Sequence, residues 1–126
     1  MRWKGLVLVL TMLLWPCSSD ALTRDDFLVR TTQDLLTLCT ASESDPLYQG
    51  AIGFCLGFAT GAYQYYQVTT ASGEQTAFVC VPEPPPTRIE AIQMFVAWAK
   101  ANPQYLNEHP VDSLFRFLAT KYPCRH

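Results

Sequence analysis

The sequence predicts an all-α domain of four or five helices, stapled by two disulfides and carried behind an export signal. Three observations predict it. Apolar residues recur at helical spacing in four stretches bounded by capping residues and prolines. An uncharged apolar run follows a positive start at the amino terminus. Four of the five cysteines lie beyond the export signal, an even set in a chain small enough to need covalent support.

Residues 1–21 read as a signal peptide. Arg2 and Lys4 supply the positive start, and Leu6 to Trp15 is the apolar run, too short to span a bilayer as a helix. Pro16 breaks it, and Ser19-Asp20-Ala21 places small residues where a signal peptidase needs them, so cleavage is expected after Ala21. The alternative is a lipid anchor on Cys17, which Pro16, in place of a small residue, disfavours. Residues 22–126 then form one domain. Loss of Arg2, Lys4 and Asp20 leaves seven basic against ten acidic residues, a net charge of −3. That balance argues against a nucleic-acid partner, which would need a basic patch.

The first helix is expected from Thr23, with Asp26 three residues on to complete its cap, and with Leu28, Leu35, Leu36 and Cys39 on one face. A polar link, Thr40 to Asp45, precedes a second helix from Pro46 to about Gln67. That helix carries Gly50, Gly53, Gly57 and Gly61 on one stripe. Each glycine costs a helix interior about 1 kcal/mol relative to alanine, roughly 4 kcal/mol together. The expected compensation is close approach of another helix of the domain along the bare stripe. No charge falls between Pro46 and Gly73, yet Gln49, Gln64, Gln67 and the tyrosines make the stretch too weakly hydrophobic for a membrane span. A nearly buried central helix is expected, with no stable membrane insertion once the signal is removed.

A long connection, Val68 to Pro86, follows, with a turn at Ser72-Gly73, a short extended segment over Thr76 to Val81, and a stiff Pro84-Pro85-Pro86 spacer. Thr87 and Glu90 make a capping box for a third helix, whose inner face is Ile89, Ile92, Phe95, Val96 and Ala99. Asn102-Pro103 stops it. After the loop Asn102 to His109, Pro110 opens a fourth helix with Val111, Leu114, Phe115 and Leu118 inward.

Cys39, Cys55, Cys80 and Cys124 allow three pairings. An antiparallel hairpin of helices three and four brings the residues before the third helix near the end of the fourth. That arrangement favours Cys80 with Cys124, and hence Cys39 with Cys55. No two of the four stand at zinc-ligand spacing, so no metal is expected. No cofactor is implied either. His109 beside Pro110 and His126 at the chain end are not placed to serve a nucleophile, and no G-x-S-x-G turn, phosphate loop or EF-hand pattern occurs. No catalytic residue is assigned, and the chain reads as a binding protein, not an enzyme.

Phe54-Cys55-Leu56-Gly57-Phe58-Ala59-Thr60-Gly61, Val79-Cys80-Val81-Pro82, Asn102-Pro103 and Lys121-Tyr122-Pro123-Cys124, in that order, resemble the Rap/Tai family of immunity proteins. The likeness covers about Leu47 to Cys124. It implies a helical fold, a homodimer, residence in the periplasm, and inhibition of a peptidoglycan amidase delivered by type VI secretion through occlusion of its substrate groove. The proline-rich spacer and Pro110 depart from the family's pattern. An HdeA-type acid-stress chaperone or another envelope interaction module is the alternative. For an inhibitor, two loops are candidate contact surfaces. The first offers Thr69, Thr70, Ser72, Glu74 and Gln75, and the second offers Tyr105, Asn107 and Glu108.

Overall fold

The computed structural model describes residues 20–125; the apolar run, Cys17 and His126 lie outside the described residues. Four α-helices make up the domain: α1 (Thr32–Cys39), α2 (Tyr48–Ala71), α3 (Arg88–Ala101) and α4 (Pro110–Lys121). Short 3-10 turns at Arg24–Leu28 and Pro103–Tyr105 precede α1 and α4.

The amino-terminal boundary differs from the sequence expectation for a local reason. The Thr23–Asp26 capping box forms, but it caps only the 3-10 turn. Val29 then turns the backbone left-handed, at φ 41°. A second box, Thr31 with Asp34, restarts the chain as α1. Leu28 is left exposed, while Leu35, Leu36 and Leu38 are buried. The start of α2 moves to Tyr48 because Asp45 accepts from the Leu47 amide and its carbonyl accepts from the Tyr48 amide. Its end moves to Ala71. There the backbone ladder runs on until the Ser72 amide donates to the Val68 carbonyl at 3.0 Å.

The core gathers Leu35 and Leu36 of α1, Tyr66 of α2, Phe95 and Ala99 of α3, and Leu114, Phe117 and Leu118 of α4, with Val79 from the connecting segment. Fully burying side chains of this size stabilises by about 1.5–3 kcal/mol each. Two expected inner residues turn outward: Ile89 is 51% exposed and Val111 43%. Each lies in the first turn of its helix, beyond the end of the packed layer, where helical spacing alone does not decide burial.

The expectation that the glycine stripe packs inside the domain is overturned. A Cβ built at Gly53, Gly57 or Gly61 meets nothing within 4 Å, and only Gly50 is approached, by the Phe27 ring at 3.7 Å. The spacing does put the glycines on one face, but α1, α3 and α4 pack the opposite face, where Ala51, Cys55 and Tyr66 are buried. α2 is therefore half-exposed, not a buried central helix. No helix among the described residues is long and apolar enough to cross a membrane.

Disulfides join Cys39 to Cys55 and Cys80 to Cys124, with Cα–Cα distances of 5.3 and 4.9 Å. The first fastens α1 to α2, and the second ties the segment ahead of α3 to the end of α4. Sequence separations of 16 and 44 correspond to about 3 and about 4 kcal/mol in the chain-entropy account.

Candidate functional site

The two candidate loops have opposite characters. The first begins where α2 ends, and every residue from Ala71 to Phe78 is exposed. Gly73 makes the turn, at φ 79°, a conformation that disfavours residues with a Cβ. Exposure does not leave this segment loose, because both ends are pinned. At the near end the Gln75 amide donates to the Thr69 carbonyl, the Ser72 hydroxyl donates to the same carbonyl, and the Thr69 hydroxyl reaches the Gln75 side chain. At the far end the buried Tyr66 hydroxyl accepts from the Phe78 and Val79 amides, both at 2.9 Å, and donates to the Val79 carbonyl. Val79 pairs with Pro123 in an isolated antiparallel bridge, and the Cys80 amide donates to the Tyr122 carbonyl at 2.8 Å. The disulfide from Cys80 to Cys124 follows at once.

The sequence-derived contact set for this loop therefore divides. Ser72, Glu74 and Gln75 stand on the projection. Thr69 is buried within α2 and Thr70 is half-buried, so Thr69 belongs to the base and does not face a partner.

The second loop turns inward. Its carbonyls at Glu108 and Leu106 accept from the Thr32 and Gln33 amides at 2.9 and 3.0 Å, satisfying two donors that the start of α1 leaves free. Thr32 and Ser113, both fully buried, share a hydroxyl hydrogen bond of 2.7 Å beneath it. Tyr105 stacks on Trp98, and the Arg116 guanidinium lies 4.3 Å over the Tyr105 ring while pairing with Glu108 at 3.0 Å. Tyr105 and Glu108 are thus held by their own chain, and Asn107 is left as the exposed member. Among the described residues, no hydrogen bond or ring contact joins the two loops.

Sequence reasoning missed two further surfaces. The outward glycine face of α2 continues into Tyr65 and Val68, 72% and 65% exposed. Beside it, α2, α3 and α4 enclose an apolar cleft of about 270 Å³, lined by Ile92, Leu114 and Phe117 with exposed Gln67 and Arg88 at its edge. Burial pushes the Tyr63 hydroxyl in this cleft above its ordinary pKa, and Tyr66 and Glu83 add to the effect. Helical spacing could have flagged the first surface, since Val68 continues the glycine stripe. The cleft needs three helices at once and has no local signal.

Among the described residues no group of three or more His, Cys, Asp or Glu could hold a metal ion. What the surface offers is a rigid projection and an uncharged helix face, the equipment of a binding protein. No curated protein and no solved structure matches the chain. The family model of the Rap1a immunity proteins matches residues 31–124, from the cap of α1 to the last cysteine. The chain belongs to the Rap1a immunity proteins, inhibitors that bind a cognate toxin effector and are not enzymes.

Proposed function

We propose that the protein is a periplasmic inhibitor of a peptidoglycan amidase delivered by type VI secretion, and that it blocks the amidase's substrate groove with the segment from Ser72 to Phe78. The observation that carries this reading is the combination of surface exposure along the segment with hydrogen bonds at its ends and a disulfide just beyond. Ordering a floppy loop on binding subtracts from affinity, and a loop already held avoids most of that loss. Glu74 is the one charge on the projection, and it sits among uncharged polar residues suited to a polar groove. A second copy of the chain fits the glycine face of α2, where missing side chains allow two helix backbones to approach closely. Residues 1–21 serve export and are removed after Ala21.

The reading is tested by co-expressing the chain, with and without residues 1–21, in cells that direct a type VI amidase effector to the periplasm. Survival is expected only with the exported form, which should co-purify with the amidase. Equal protection by the form lacking residues 1–21 would sink the periplasmic assignment. Absence of both protection and co-purification across the amidases encoded beside this chain would sink the amidase assignment.

A further inference from the structure

The structure assigns a role to the terminus that processing creates: the ammonium group of Leu22 is bound by the carboxylate of Asp45, so that cleavage of the Ala21–Leu22 bond installs an ion pair. This rests on the export reading above. In the uncleaved chain the Leu22 backbone nitrogen already donates to Asp45 Oδ2 at 2.8 Å, across 23 residues of sequence. That distance lies within the range of charge-assisted N–H···O⁻ bonds. Asp45 is held in place independently. Its Oδ1 accepts from the Leu47 amide at 2.8 Å, its own amide donates to the Ser42 carbonyl at 2.9 Å, and its carbonyl accepts from Tyr48 at 3.0 Å. Oδ2 is thereby aimed at Leu22.

The burial pattern agrees. Asp20 and Ala21 are exposed, and among the described residues Leu22 is the first that is half-buried. Hydrolysis adds water across the peptide bond. The hydroxyl goes to the Ala21 carbonyl carbon, which leaves with residues 1–21 as a carboxylate. The nitrogen stays on Leu22, gains the water's hydrogen and takes one more proton from solvent. A free α-amine has a pKa of about 7.7–8.0, so the new group is largely protonated at neutral pH before any pairing. A neutral amide donor thus becomes a cation with three donors, against an oxygen already at bonding distance. None of the charged residues adjoining the pair in sequence hydrogen-bonds to the Leu22 nitrogen or to Asp45. Asp26 is committed to the Thr23 amide and hydroxyl at 2.7 and 3.2 Å, and Arg24, Asp25 and Glu43 are exposed.

The pair closes the amino-terminal segment onto α2. It holds Leu22 just ahead of the 3-10 turn, whose Phe27 covers Gly50 and meets Phe54 edge-on at 5.9 Å. A lipid-bearing Cys17 would place the terminus five residues upstream and leave Asp45 with the neutral amide alone.

The test uses the full chain, exported by a Gram-negative host and purified from the periplasm. Intact mass gives the first residue, and the pH dependence of acetylation by acetic anhydride gives the titration of the terminal amine. The expected protein starts at Leu22, with an amine that titrates above its ordinary range. Asp45→Asn should return it to that range and speed acetylation at neutral pH by about two- to five-fold, the span a partly exposed ion pair produces. Glu43→Gln should change neither. If Asp45→Asn does not fold, the wild-type titration decides alone. An ordinary titration in a protein that starts at Leu22 overturns the ion pair and leaves export standing. A start at any other residue, or lipid on Cys17, overturns the ion pair together with cleavage after Ala21.

Discussion

Tyr66→Phe removes one oxygen from the domain and isolates the pin beneath the exposed segment. The ring stays, with its edge-on contact to Phe78 at 5.0 Å and its tilted contact to Phe115 at 5.2 Å. Three hydrogen bonds go: those from the Phe78 and Val79 amides, and the one to the Val79 carbonyl. Val79 is only 5% exposed, so its amide loses a partner where water does not readily replace it. An orphaned buried donor costs about 1–3 kcal/mol. The Phe78 amide is partly buried and can turn to solvent, so it adds little. Urea unfolding of the oxidised protein should therefore show a loss of about 1–3 kcal/mol. Amide exchange should locate that loss, with Val79 exchanging about ten-fold faster for each 1.4 kcal/mol of local stability removed. Inhibition of the effector should weaken while both disulfides and the helical content persist. A stability change below about 0.5 kcal/mol, with Val79 exchange unaltered, would refute the hydroxyl as the pin.

Gly57→Leu places a side chain where a Cβ meets nothing within 4 Å, so the fold should survive and the isolated subunit gain about 0.5–1 kcal/mol from helix propensity. Sedimentation should meanwhile show loss of the proposed dimer; an intact dimer would remove the second copy from the glycine face. Glu90 is held below the ordinary carboxylate range by the Thr87 backbone hydrogen bond first and the Thr87 side-chain hydrogen bond second. A lowered folded-state pKa means that its contribution is present above the ordinary glutamate range and is lost as pH falls through the lowered value. Carboxyl NMR titration should find Glu90 below that range, and Thr87→Ala should move it upward by removing the side-chain bond.

Much of the fold is legible because its signals are local. Thr87 with Glu90, Asn102-Pro103 and Pro110 mark where backbone hydrogen bonding must start or stop, and the structure begins or ends α3 and α4 at those places. Local signals fail where two compete. The caps at Thr23 and Thr31 are both real, and the left-handed Val29 between them decides which one starts a full helix. The glycine stripe exposes a second limit: period 3.6 groups residues on a face, but it does not say which face the other helices cover. The exposed segment after α2 is legible from its length and turn residues, and its Cys80–Cys124 anchor from the hairpin of α3 and α4. The Tyr66 pin is not, because Tyr66 and Val79 meet only in the packed domain. The contacts of the second loop are hidden from the sequence for a similar reason. Tyr105 and Glu108 look available in sequence, and Arg116 claims both from the facing helix.

If the segment after α2 does the inhibiting, it sets the potency of the purified protein against its proposed amidase target on peptidoglycan. The comparison is between the wild type and a variant with Glu74 to Ala77 replaced by Gly-Ser-Gly-Ser. That replacement keeps Gly73, Tyr66 and the pins on Phe78 and Val79. The expected outcome is an unchanged helical spectrum, both disulfides intact, and a loss of inhibition of about ten-fold or more, the cost of removing a central contact. Full inhibition by the correctly folded variant would contradict it and move the inhibitory surface elsewhere on the domain.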